Sequence, residues 1–302
     1  MTKLERFAFK CATMMKHKMP AIATLGLLVG FAGQVQAQYA FTPIDVPGAV
    51  YTAANANSTK DIAGDFDDAD GNTHGFILSK GIFSTIDIDG AVFTIINGIN
   101  APGRFTGTYG DAGGTSHAFV WSDGVFTTLN PPGAVRSQGG FINAQGEVTG
   151  AYRDASQKRH GFLWRKGVFT TFNVPGDHTP LGTVPLGLND RGEVVGSYVD
   201  ADGVRHGFLR SSDGVFTTFD APGADGLTVA EGINNKGQIV GLYFDESGTR
   251  HGFVLSNGAF TTVDVPGSTG TQINSINAKG EIVGSYDDAD GNGHGFIGTP
   301  DR

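Results

Sequence analysis

The sequence predicts an all-β fold: a six-bladed β-propeller of four-stranded blades, closed by an N-terminal strand that completes the last blade. Three observations predict it. A His-Gly-Phe or His-Ala-Phe marker recurs six times at near-constant spacing. Gly and Phe are abundant, 47 and 22 of 302 residues, while charged residues make up only 17%, a balance that suits short strands and tight turns. The chain also opens, after its leader, with the strand type that its last unit lacks.

Residues 1–37 read as a secretory signal rather than as part of the fold. Lys3, Arg6, Lys10, Lys16 and Lys18 precede an apolar, small-residue run from Ala21 to Gly33, and Val35-Gln36-Ala37 offers a cleavage site before Gln38. The apolar run is shorter than the roughly 20 residues a bilayer span needs, so the mature protein is expected to carry no transmembrane span. The charged leader is long, and Met14 or Met15 is an alternative start. The expected location is secreted or periplasmic, and residues 38–302 are expected to form a single propeller domain, a monomer.

Removing the leader changes the charge. The whole chain holds 21 basic and 30 acidic residues, and the leader holds five basic residues and one acid, Glu5. That leaves 16 basic against 29 acidic, a formal charge of −13. Such a surface repels nucleic acid and anionic lipid, which makes both poor partners. The single cysteine, Cys11, lies in the leader. A cysteine-free exported chain has no disulfides and must be held by packing or by a metal ion.

The repeat itself is read from its marker. His74, His117, His160, His206, His251 and His294 each begin a His-Gly-Phe or His-Ala-Phe triplet, 43, 43, 46, 45 and 43 residues apart. Strand A of each unit ends in an Asn (Asn57, Asn100, Asn143, Asn189, Asn234, Asn277), and in all but the first a Gly follows three residues later. Asn bonds its own backbone and Gly accepts positive φ, so this is a reverse turn. Strand B runs through a Gly and an aromatic, Phe66, Tyr109, Tyr152, Tyr198, Tyr243 or Tyr286. An Asp follows two residues later, and the His lies six beyond it in every unit, which fixes the register of a B–C hairpin. Strand C is the His segment. Strand D is the Phe-Thr-Thr type beginning at Phe83, Phe126, Phe169, Phe216 and Phe260. A Pro-Gly usually ends it, because Pro cannot continue a ladder.

The ends of the chain state how the array closes. The mature protein starts with a strand D, Phe41-Thr42-Pro43-Ile44-Asp45, and stops just after the strand C that begins at His294. If the first strand pairs with the last three, one blade is stitched from both termini and few edges remain open. A linear solenoid would need capping units, and none is visible.

At these residues the chain resembles the HAF-type extracellular repeat family of bacteria, named for the tripeptide found at His117-Ala118-Phe119. The resemblance covers nearly all of residues 40–298, through units of the form G-x-x-I-N-x-x-G-x-I-x-G-x-Y. Five of the six copies carry Gly in place of the Ala, and the first unit, Asn57-Ser58-Thr59-Lys60-Asp61, lacks the turn Gly. The resemblance implies an exported repeat protein and carries over no catalytic residue.

Loops leaving strands B and D emerge on one propeller rim, so chemistry is sought there. The six repeated His are expected to brace their own hairpins, since a group that chemistry needs once is not needed six times. Function is sought where the copies differ. Asp65, Asp67, Asp68 and Asp70 in the first unit and Asp287, Asp288 and Asp290 in the last would become neighbours on closure, and oxygen-rich loops of this kind suit Ca²⁺. The competing reading is that D-x-D-G is an ordinary turn. Arg159, Arg205 and Arg250 stand just before the His in three units, Arg153 and Lys158 add charge to one of them, and His178 lies in the longest connection after a strand D. The rim is therefore expected to be basic on one side and acidic on the other.

No G-x-S-x-G elbow, H-E-x-x-H, phosphate-cradling loop or cysteine pair is present. The expectation is a binding or scaffold protein that recognises a glycan or an envelope or extracellular protein at one rim. The alternative is a carbohydrate-active lyase or hydrolase, which needs only a few acids, bases and cations in a groove.

Overall fold

The computed structural model describes residues 39–177 and 179–301. The leader, its cleavage site and His178 lie outside the described residues. Among those described there are 24 strands and no helix, and so no helix long and apolar enough to cross a membrane.

A lone first strand, β1 (Tyr39–Ile44), precedes six runs of strands. The first run is β2 (Tyr51–Asn57), β3 (Asp61–Asp67), β4 (Thr73–Ser79) and β5 (Ile82–Ile86). The second is β6 (Phe93–Ile99), β7 (Phe105–Gly110), β8 (Ser116–Ser122) and β9 (Val125–Leu129). The third is β10 (Arg136–Ile142), β11 (Val148–Arg153), β12 (Arg159–Arg165) and β13 (Val168–Phe172). The fourth is β14 (Val184–Leu188), β15 (Val194–Val199), β16 (Arg205–Arg210) and β17 (Phe216–Phe219). The fifth is β18 (Thr228–Ile233), β19 (Ile239–Phe244), β20 (Arg250–Ser256) and β21 (Ala259–Val263). The sixth has three strands, β22 (Gly270–Ile276), β23 (Ile282–Asp287) and β24 (Gly293–Pro300).

All pairing within a run is antiparallel, and β1 lies antiparallel to β24, from Tyr39 opposite Pro300 to Ile44 opposite Gly295. The leading strands β2, β6, β10, β14, β18 and β22 contact one another in a closed cycle, with β22 back against β2. The fold is thus an all-β propeller. Its sheets, however, are not six separate four-stranded blades. The second to fifth runs form four such sheets, while the other eight strands are joined in one, through a single parallel pair at Tyr51 and Gly293. The reason is local. At the position before the marker His the other units carry Thr73, Ser116 or an Arg, but Gly293 has no side chain, and a Cβ there would lie 2.6 Å from Tyr51 Cε2. The bare backbone lets Tyr51 seat against β24.

The marker Phe is the core of each unit. Phe76, Phe119, Phe162, Phe208, Phe253 and Phe296 are at most 1% exposed, each burial stabilising by about 1.5–3 kcal/mol. Each sits opposite the strand-B Gly, as Phe253 does opposite Gly241. A Cβ at Gly241 would meet the Val229 carbonyl oxygen and lie 2.9 Å from Phe253 Cε1, so only Gly lets the ring cover the strand.

The turn Asn side chains tie the runs into a ring. Asn100, Asn143, Asn189 and Asn234 each donate through Nδ2 to the carbonyl of the next turn residue, Asn143, Asn189, Asn234 and Asn277, at 2.9–3.3 Å. Asn277 donates to Ser58 O at 3.1 Å, which crosses from the last run to the first. This corrects one slot. Asn57 pairs with Ile62 as Ile99 pairs with Phe105, so it belongs to the strand. Ser58 takes the turn position, its Oγ accepting from Lys60 and Asp61 N–H in a turn one residue shorter.

Candidate ligand-binding rim

The B–C hairpins are rigid for a reason the residue types supply. In the first, Asp68 Oδ1 accepts from Asp70 N and Asn72 N at 3.0 and 2.8 Å, closing the turn on its own backbone. Its Oδ2 faces His74 Nε2 at 3.3 Å. The same contact recurs from Asp111, Asp154, Asp200, Asp245 and Asp288 to their His at 3.0–3.3 Å. The other ring nitrogen, Nδ1, meets the residue just after strand D: Asp87, Asn130, Asn173, Asp220 and Asp264, at 2.8–3.2 Å. For His294 that residue is Asp45, at 3.1 Å, supplied by the opposite end of the chain. Each His ring also lies on its strand-B aromatic, with centroids 5.1–5.3 Å apart.

An imidazole donates from both nitrogens only when protonated. At His74, His206, His251 and His294 burial disfavours the charge, but hydrogen bonds to two carboxylates and their charges outweigh it, and the pKa rises above the ordinary 6.5. At His117 and His160 Nε2 faces the turn carboxylate, which only accepts, and Nδ1 faces an amide, Asn130 or Asn173. The turn carboxylates move the other way. Asn72 beside Asp68, Ser156 beside Asp154 and Ser247 beside Asp245 lead the hydrogen bonds that hold those carboxyls at about 2.

The acidic residues picked from the sequence do not gather into a metal centre. Asp65 is buried and accepts from Asn55 Nδ2 at 2.6 Å; Asp67 accepts from Thr73 Oγ1 at 2.8 Å; Asp68 and Asp288 serve their turns and their His. Asp287 accepts from Arg250 Nη2 at 2.8 Å, while Asp70 and Asp290 are exposed at hairpin tips. Among the described residues no three His, Cys, Asp or Glu side chains are placed to hold a metal ion. The oxygens that Ca²⁺ would need are directed to turn amides, His rings, Thr73 and Arg250 instead.

The basic residues do gather. Register places Arg136 opposite Arg153, and Arg153 opposite Arg159, so three arginines form one row across β10, β11 and β12. Arg205 opens β16 in the next unit, its Nη1 on Ser197 Oγ at 3.0 Å. Arg136 Nη2 donates to Gln157 Oε1 at 2.9 Å, and Arg153 Nη1 donates to the carbonyls of Gln157 and Pro180 at 2.5 and 3.1 Å. Arg159 N donates to Pro180 O at 3.3 Å, which holds Pro180 beside the row. Burial, then repulsion from Arg153, Arg205 and Arg136, pulls the Arg159 guanidinium down to about 9. Arg136 and Gln157 carry no role in the expectations drawn from the sequence. A signal existed for Gln157: the other five hairpins carry Gly at its place.

No protein-family model matches the chain, and no curated protein sequence does. Solved structures do. A catalytically inactive virginiamycin B lyase from Staphylococcus aureus, solved with quinupristin, matches with a TM-score of 0.50 at 11% identity, over 86% of this chain and 99% of that one. The β-propeller domain of the Trilobed protease from Pyrococcus furiosus matches with a TM-score of 0.50 at 9% identity, over 82% and 94%. Both likenesses are of fold. A lectin from Aleuria aurantia, solved with α-methyl-L-fucoside, has a TM-score of 0.49 at 10% identity, over 70% and 76%.

Proposed function

We propose that the chain is an exported, six-unit HAF-type repeat propeller that binds a glycan on the rim formed by its B–C hairpins and D–A connections. The six-unit count is supported by the six markers and by the joined eight-stranded sheet, which contains two four-strand sets linked by one residue pair. Export is supported by the leader over residues 1–37.

The observation that carries the binding reading is the division of labour on this rim. Every repeated His has one ring nitrogen engaged by its own hairpin and the other by the residue that follows strand D, or that follows β1 for His294. Those groups form a stiff frame. The side chains that differ between units, above all the arginine row, stand on that frame, and polar groups on rigid elements suit a hydroxyl-rich ligand.

The test is a binding screen of the mature chain, residues 38–302, against a panel of polysaccharides, with reducing ends and unsaturated products followed in the same wells. Saturable retention of a glycan without turnover is the expected result. Turnover would replace this reading with that of a polysaccharide lyase or hydrolase, and retention of no glycan would remove it.

A further inference from the structure

We infer that Arg136, Arg153, Arg159 and Arg205 form a binding site for the carboxylate or sulfate groups of an acidic glycan. The inference rests on the rim-binding reading and gives it a ligand class.

Three observations carry it. First, the row is unfavourable by itself. Like charges placed directly opposite on neighbouring strands destabilise a sheet, and here two such pairs share Arg153. The three-strand rows at the same register elsewhere are Tyr51–Asp67–Thr73, Phe93–Gly110–Ser116 and Gly270–Asp287–Gly293, which stack no like charges. Second, two members of the row are organised by neutral groups: Gln157 Oε1 and O and Pro180 O orient Arg136 and Arg153 without cancelling their charge. Planar guanidinium forks held this way match carboxylate and sulfate oxygens in pairs.

Third, Gln157 adopts φ +64°, in the left-handed region that favours Gly. The five equivalent residues, Gly71, Gly114, Gly203, Gly248 and Gly291, take the same conformation with no side chain. Only the hairpin beside the arginine row gives up Gly, and the side chain it gains holds Arg136. Strain kept at one copy of a repeat points to a role that the other copies lack.

The experiment measures affinity of the mature chain for four probes: oligogalacturonate, chondroitin sulfate, neutral dextran and polyglutamate, each at low and high salt, alongside melting temperature. Oligogalacturonate or chondroitin sulfate should bind, more weakly at high salt. Arg153→Gln should lose at least tenfold in affinity yet melt at or above the wild-type temperature, because it removes a repulsive row. Gln157→Gly should weaken binding without lowering the melt. Arg191→Gln, on the opposite rim and paired with Glu193, should bind as wild type. Binding of oligogalacturonate would show that carboxylate suffices, whereas binding of chondroitin sulfate alone, which carries both groups, would point to sulfate.

Equal affinity for dextran, unchanged by Arg153→Gln, would overturn this site and leave the rim reading standing. Preference for polyglutamate would overturn the glycan class. No binding by any probe, with neutral glycans also failing in the wider panel, would remove the rim reading and the site together. A lower melt in Arg153→Gln would show the row to be structural.

Discussion

Closure of the ring depends on β1, and Ile44 is the residue through which to test it. Its side chain is 5% exposed and packs in a cluster with Val46, Ala54, Phe66, Phe76 and Val283, so it joins the N-terminal segment to the first and last units at once. Ile44→Ala removes three carbons, about 2.4 kcal/mol of transfer free energy at about 0.8 kcal/mol each. The cavity left behind brings the usual cost of such a change to about 2–5 kcal/mol. A loss of about 3 kcal/mol, in a domain where each kcal/mol moves the melt by about 2–4 °C, lowers the midpoint by about 6–12 °C. Thr42→Ala, exposed on the same strand, should shift it by less than about 2 °C. Calorimetry on the mature chain, with limited proteolysis to detect release of the first residues, reads both effects. If Ile44→Ala melts with the wild type and resists proteolysis equally, β1 does not seal the ring and the closure argument fails.

Other outcomes follow from the same geometry. Gly241→Ala drives a Cβ against the Val229 carbonyl and the Phe253 ring and should cost about 3 kcal/mol or more, read as a lower denaturation midpoint. Asn189→Ala removes the donor to Asn234 O at 3.2 Å and the acceptor for Arg191 N and Glu193 N, a loss of about 2 kcal/mol on denaturant titration. For pH, the sign runs from His74, His206, His251 and His294, whose folded values lie above 6.5. Their stabilisation is complete below pH 6.5 and is lost as the pH rises through the raised values, so the melting temperature should fall from pH 6 to 9. His206→Gln should flatten that slope; an identical slope would separate the His clamps from the effect. On the acid side, the carboxylates held at about 2, Asp68, Asp154 and Asp245, stabilise above the ordinary 3.8 and lose that contribution as pH falls toward 2.

How much was legible depends on how far each contact reaches along the chain. The Asp–His hairpin spans six residues, and its chemistry repeats in six copies, so its turn and its register were open to reading. The same repetition marked Phe76 and its counterparts as core. The Asn series was read correctly in five units and one residue early in the first, because Asn57 matched the residue type while the shorter Ser58 turn matched the hydrogen bonds. Clustering of the seven acids was inferred from proximity of hairpins alone, and failed because proximity does not say where carboxylate oxygens point. Arg136 escaped notice since nothing in the order of residues sets it beside Arg153.

Residue order alone determined the period, the strand types and the complementary ends, because these rest on short-range hydrogen bonds and on alternation within single strands. Only the tertiary structure decided that Tyr51 bridges to Gly293, that Asn277 hands its bond to Ser58, and that three arginines stand in one row. The Arg136–Arg153, Asn277–Ser58 and Tyr51–Gly293 contacts join residues 17, 219 and 242 positions apart. Their partners are chosen by strand register and by the meeting of the chain ends, which no local pattern encodes.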